Sequence, residues 1–309
     1  MSEARSERLS LREAWLAHAQ HHPYTALGLA AAALAVLALI GSSAYNAFAG
    51  AGDASLRYGL LGGLAGFAAT PARACIGVMF RRISARAEDS MLGFAAGMML
   101  AASCFSLILP GLQAAESITA SAALSALTVA LGLALGAVLM LGLDQFTPHA
   151  HAASGSWGPA AERLSRVWLF VFAITLHNLP EGMAIGVSFA RGDLSVGMPL
   201  TTAIAIQDIP EGLAVVFALR AAGLTAMRAA WLAAASGLME PLGAILGIGL
   251  SSGFAIAYPI GLGLAAGAMI FVVSHEVIPE THRNGHQTPA TLGLMAGFGV
   301  MMFLDTAFA

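Results

Sequence analysis

The chain has 309 residues, 58% hydrophobic and 10% charged, with a mean hydropathy of +0.78. That composition excludes an ordinary soluble domain and implies a protein of the lipid bilayer. A net charge of −3 without a basic patch gives no footing for nucleic acid as a partner. The two cysteines, Cys75 and Cys104, lie in apolar segments and suggest neither a disulfide framework nor a thiolate metal centre.

Apolar runs of about 20 residues, the length that crosses a bilayer, fall at 24–50, 58–80, 90–112, 120–145, 167–190, 197–219, 229–250, 257–280 and 290–309. The first run exceeds the apolar core of a signal peptide and follows a polar-to-mixed stretch at 1–23, so it reads as a retained transmembrane helix. With the N-terminus inside, eleven arginines fall in inner stretches, whereas Arg57 and Arg191 alone fall in outer ones. The positive-inside rule then gives a cytoplasmic N-terminus, if 24–50 spans, and a periplasmic C-terminus. All 14 basic residues are Arg, and Ala and Gly abound. This bias points to a GC-rich bacterial genome, and hence to a multi-pass protein of the bacterial inner membrane.

The long inner connection at 146–166 begins Phe146-Thr147-Pro148-His149-Ala150-His151 and turns Gly/Ser/Pro-rich, which predicts a flexible loop dividing two groups of helices. Elsewhere the connections are short, so neighbouring spans are expected to be antiparallel. The spacings Gly93/Gly97, Gly132/Gly136, Gly243/Gly247 and Gly293/Gly297 favour close helix contact.

Two near-copies of one phrase stand 30 positions apart: His177-Asn178-Leu179-Pro180-Glu181-Gly182 and Gln207-Asp208-Ile209-Pro210-Glu211-Gly212. Each lies mid-span, and no Lys or Arg lies in either span to neutralise the carboxylates. On a helix, positions three and four apart share a face. Paired antiparallel, the two helices can surround one cation with His177, Glu181, Gln207 and Glu211. A second, beside it, can take Asn178, Glu181, Asp208 and Glu211, with both glutamates bridging. Glu240, at the midpoint of 229–250, sits at the same depth and adds a further oxygen ligand. Four ionised carboxylates in hydrocarbon would cost roughly 10–14 kcal/mol if additive, and two divalent cations would balance them. Pro180 and Pro210 cannot donate to the carbonyls of Leu176 and Ile206, so each phrase is expected to kink its helix.

A second polar group approaches the inner face. Asp144 ends one span, and His275, Glu276 and Glu280 end another, which suits an exit pathway. His149, His151 and His286 lie in inner loops, where weak capture of metal and simple solvation are both open. Asp305, near the outer end of the last span, reads equally as an entry-side ligand or a capped surface residue.

These motifs, with Glu240-Pro241 and His275-Glu276, resemble the ZIP (Zrt/Irt-like) family of metal transporters over about residues 58–309. The resemblance implies an all-α membrane protein with an eight-helix 3+2+3 core and an inverted repeat, the extra helix of 1–57 lying outside it. The core would comprise a first three-helix repeat (58–145), the cytoplasmic loop (146–166), the central helix pair (167–219) and a second three-helix repeat (229–309). It further implies uptake of divalent metal, chiefly zinc, by elevator-type movement of a bundle holding 58–80, both central helices and 229–250, with zinc as transported substrate rather than cofactor. A homodimer is a family habit. Gln207 and Asp208 replace the His and Asn of many relatives, which softens one site's preference for zinc and makes cadmium plausible. The short inner loop, with only His149 and His151, weakens any metal-sensing role for it.

A metal-gated channel is the nearer alternative. An intramembrane di-metal enzyme is more distant, because the Glu-x-x-His pairs of carboxylate-bridged bundles and the His-Glu-x-x-His of zinc proteases are missing at the central site.

Overall fold

The computed structural model describes residues 11–48, 58, 61–65, 84–147, 149–151, 155–157, 166–192, 194–221, 224–251 and 254–308. In chain order the helices are α1 (Leu11–His21), α2 (Pro23–Phe48), α3 (Ala85–Ala102), α4 (Leu109–Thr119), α5 (Ala122–Phe146), α6 (Arg166–Ser188), α7 (Leu194–Ala221), α8 (Ala226–Ser236), α9 (Met239–Ser251), α10 (Ala257–Val272), α11 (Ile278–His282) and α12 (Gln287–Phe308). The chain is thus the expected all-α membrane protein. Among the described residues, five helical stretches are long and apolar enough to cross a bilayer: Ala85–Thr119, Ala122–Phe146, Ala226–Ser251, Ala257–His282 and Gln287–Ala307. Their outward faces expose Leu127, Leu131, Leu292, Met295 and Phe303, side chains that hydrocarbon rather than water accommodates.

The described part of the N-terminal region holds two helices, α1 within the polar-to-mixed stretch and α2 over the expected run 24–50. Trp15–His21 and Pro23–Ala38 meet at 111°. Pro23 opens α2 without an N–H to extend α1, and Thr25 Oγ1 donates to the His22 carbonyl at 3.0 Å. Helix α2 packs through Leu29 and the buried Ala32 against Leu139 of α5. Of the expected span 58–80, only Tyr58 and residues 61–65 lie within the described part. Gly62 lies against Ile185 and Phe189 of α6, and Gly63 against Pro241 and Ala244 of α9.

Three helix pairs approach backbone to backbone, each through two glycines per helix. Gly93 and Gly97 of α3 lie against the α12 main chain, as Gly293 and Gly297 of α12 do against α3; Gly132 and Gly136 of α5 and Gly263 and Gly267 of α10 do the same for each other's helix, as do Gly182 and Gly186 of α6 and Gly243 and Gly247 of α9. A Cβ at Gly243 would stand 2.6 Å from the Leu179 carbonyl oxygen. The four spacings marked in the sequence all lie at these contacts, and their partners Gly182/Gly186 and Gly263/Gly267 complete them. Small residues let two helices meet at main-chain distance where burial of apolar surface gives little drive.

Both long stretches flanking this framework widen into a π turn ahead of a proline: Ser103–Ile108 before Pro110, and Val273–Val277 before Pro279. Such turns absorb the lost donor and the proline ring. Upstream, Ala95-Ala96-Gly97-Met98-Met99 and Ala265-Ala266-Gly267-Ala268-Met269 repeat each other. One element therefore occurs in both halves, as an internal repeat requires.

The helices carrying the repeated phrases are continuous through them: α6 contains Pro180, and α7 spans both sides of Pro210. A break falls between α8 and α9, at Gly237 and Leu238. Pro241 cannot donate to the Gly237 carbonyl; the Glu240 N–H does so instead at 3.1 Å, closing a tight turn. The inner connection also has regular structure: strand β1 (His149–His151) pairs antiparallel with β2 (Gly155–Trp157), with His149 opposite Trp157.

Candidate metal centre

Helix α6 supplies Asn178 and Glu181, α7 supplies Gln207 and Asp208, and the first turn of α9 supplies Glu240; all five are at most 1% exposed. Their placement follows from the glycine contacts. Gly182, next to Glu181, lies against the Glu240 main chain, so the α6–α9 crossing occurs beside both carboxylates. Gln207 Nε2 donates to Glu181 Oε1 at 2.7 Å, joining α7 to α6. Gln207 Oε1 is buried and has no hydrogen-bond donor among the described residues, so the amide presents an acceptor. Asn178 Nδ2 donates to Ser236 Oγ at 3.3 Å, and Ser236 Oγ donates to the Ala233 carbonyl at 2.9 Å. Ser236 closes α8 just before the helix break. Sequence reading missed it, since its role depends on a break whose position only the Gly237-to-Pro241 geometry reveals.

The side chains of His177 and Glu211 lie outside the described ones. Among the described residues, no group of three or more His, Cys, Asp or Glu side chains is disposed to hold a metal ion. What the centre offers there is a buried, oxygen-rich polar junction of three helices. Oxygen donors of this kind suit a hard or borderline divalent cation, and an imidazole would shift the preference towards zinc. A carboxylate placed in such surroundings needs a counter-charge or a proton.

The inner group separates into distinct arrangements. His275 Nε2 and Asp144 Oδ2 are 3.6 Å apart, joining the π turn after α10 to the end of α5. The carboxylate is buried and the imidazole half exposed, its ring packed 5.0 Å from that of Phe271. Glu276 is partly buried beside it. Glu280 pairs with Arg283 at 3.2 Å on a largely exposed turn, a contact worth little in free energy. His286 is engaged: its Nδ1 lies 2.8 Å from Oδ2 of Asp89, and Asn284 Nδ2 donates to Asp89 Oδ1 at 3.0 Å. Asp89 is 1% exposed, so His286 ties the 283–286 turn to the first turns of α3. An acid in the first turn of an apolar span, with His and Asn in a facing turn, was the available signal for this tie. His149 and His151 sit on β1, with side chains outside the described ones. Ser106 Oγ donates to Asp305 Oδ1 at 2.6 Å, joining the end of α12 to the first π turn.

The ZIP zinc transporter family model matches residues 150–305. The chain is 64% identical to zinc transporter ZIPB of Bordetella bronchiseptica over 99% of both chains. It is 39% identical to zinc transporter GufA of Myxococcus xanthus, over 80% of this chain and 97% of that one. With the human zinc transporter ZIP11 the identity is 32%, over 82% and 98% respectively.

Proposed function

We propose that this chain, which belongs to the ZIP zinc transporter family and is therefore a transporter and not an enzyme, carries zinc and similar divalent cations, cadmium among them, into the bacterial cytosol. The observation that carries the reading is the full burial of Glu181, Asp208 and Glu240 on three helices, in spans without Lys or Arg. Ionisable groups buried at membrane depth mark an ion pathway. In this reading His177, Glu181, Gln207 and Glu211 hold one cation; Asn178, Asp208 and Glu240, with the two shared glutamates, hold a second. Gln207 donates through Nε2 to Glu181 and offers its buried Oε1 to the cation.

Movement follows an elevator. The moving bundle comprises 58–80, α6, α7 and the α8–α9 pair; α3 to α5 and α10 to α12 form the scaffold. All three glycine-zipped pairs fall within one unit or the other: α6–α9 in the bundle, α3–α12 and α5–α10 in the scaffold. Backbone-tight contacts resist sliding, so their confinement within the units suits rigid-body motion between them. Across the boundary Arg191, after α6, donates to the Ala255 carbonyl at 3.2 Å and lies 4.4 Å over the Tyr258 ring. Such an exposed clamp can open and re-form. Release passes Asp144, His275, Glu276 and Glu280, whose donors exchange faster than the enclosed central oxygens. Orientation is with the N-terminus cytoplasmic and the C-terminus periplasmic, and the assembly is a homodimer.

Zinc uptake into proteoliposomes tests the function. Saturable uptake that disappears in Glu181→Gln is expected; flux no higher than in empty liposomes, or flux that rises linearly with zinc as through an open pore, would overturn the carrier.

A further inference from the structure

Three histidines gather where the N-terminal helix ends: His18 and His21 in α1, and His22 at the bend before Pro23. His18 and His22 are four apart and share a helix face, with ring centroids 4.6 Å apart at 38°. That face is seated on the end of α5. The His18 ring meets Phe146 edge-on at 5.1 Å, and Trp15 meets Phe146 at 5.5 Å. His18 Nε2 is left buried and, among the described residues, without a hydrogen-bond partner. Beside it His22 is exposed and its side chain can turn.

These are the parts of a helical two-histidine chelate. One imidazole is held in place by its edge-on packing against Phe146. The second can swing to complete the pair, and neutral imidazole suits zinc, copper or nickel. We propose that His18 and His22 form a divalent transition-metal site, separate from the central junction, with water in the remaining positions. A cation held there pins α1 to the end of α5, two residues beyond Asp144. The inference rests on the proposed transport only for the source of the metal, and the site is read by binding alone.

The test uses the full-length protein in lipid nanodiscs and the copper(II)–iminodiacetate chelate, which leaves two adjacent positions for imidazoles. Electron paramagnetic resonance counts copper with two coordinated imidazole nitrogens. The wild type is expected to bind one equivalent more than His22→Gln, and His21→Gln to retain it. His22 is exposed and its ring contact is with His18, so the substitution leaves the Trp15–Phe146 packing in place. Zinc dialysis on the same monodisperse samples should likewise lose one equivalent in His22→Gln and none in His21→Gln. Unchanged copper and zinc stoichiometry in His22→Gln would overturn the site and leave α1 held by aromatic packing only.

Discussion

The central junction and the inner mouth use similar residue types in opposite physical settings. At the junction Glu181, Gln207, Asp208 and Glu240 are fully enclosed, and the helices carrying Glu181 and Glu240 are locked together through Gly182 and Gly243. At the mouth, Asp144 faces a half-exposed His275 across 3.6 Å, and Glu280 spends its charge on a surface arginine. In the enclosed setting electrostatic interactions are strong and mismatches costly; in the wet setting they are screened and weak. The difference suits retention of a cation at the first region and hand-over at the second.

Substitutions can sharpen this contrast. The largest effect is expected from Gly182→Leu, which drives a side chain into the Glu240 main chain. Overpacking of this kind typically costs about 1–3 kcal/mol, occasionally more, and it displaces two carboxylates at once. Zinc uptake should vanish and the thermal midpoint of the detergent-solubilised protein should fall. Next comes Asp208→Asn, which keeps the shape of a buried acid but removes its charge. Uptake should drop at least tenfold with little loss of stability, and equal rates at matched expression would remove Asp208 from the metal path.

Glu276→Ala is expected to act at the mouth alone, slowing zinc uptake several-fold while leaving zinc stoichiometry at the central junction intact. Loss of that stoichiometry would merge the two regions into one site. Smaller again is Arg191→Ala, which removes a clamp across the proposed moving boundary. The cation–π part of that clamp is worth about 0.5–1 kcal/mol at an exposed position, so the uptake rate should change a few-fold while zinc affinity holds. The smallest effect is Arg283→Gln, because an exposed i,i+3 pair contributes about 0.3–0.5 kcal/mol; neither uptake nor midpoint should move measurably.

Much of this was readable from residue type and period. Five of the nine apolar runs coincide with helical stretches long and apolar enough to cross a bilayer among the described residues, and the repeated phrases marked the buried polar residues of α6 and α7, because a carboxylate in hydrocarbon has few uses. Glycines four apart marked half of each close helix pair or more, though their partner helices emerge only in three dimensions. The break itself was harder to foresee. Pro180 lies inside a continuous α6, while Pro241 falls just after the break and the turn that sets Ser236 beside Asn178. A missing N–H states that a ladder is interrupted; whether a kink, a π turn or a break results depends on what packs nearby. His286 and Asp89 illustrate a second limit. Their bond links residues 197 positions apart, and nothing local distinguishes a loop histidine that waits for metal from one already engaged.

Anomalous diffraction from crystals soaked in cadmium near neutral pH tests the binuclear junction most directly. Two peaks are expected between α6, α7 and α9, about 3.5–4 Å apart as in carboxylate-bridged pairs, both weakened in Glu181→Gln. A single peak at saturating cadmium would contradict a shared two-cation site.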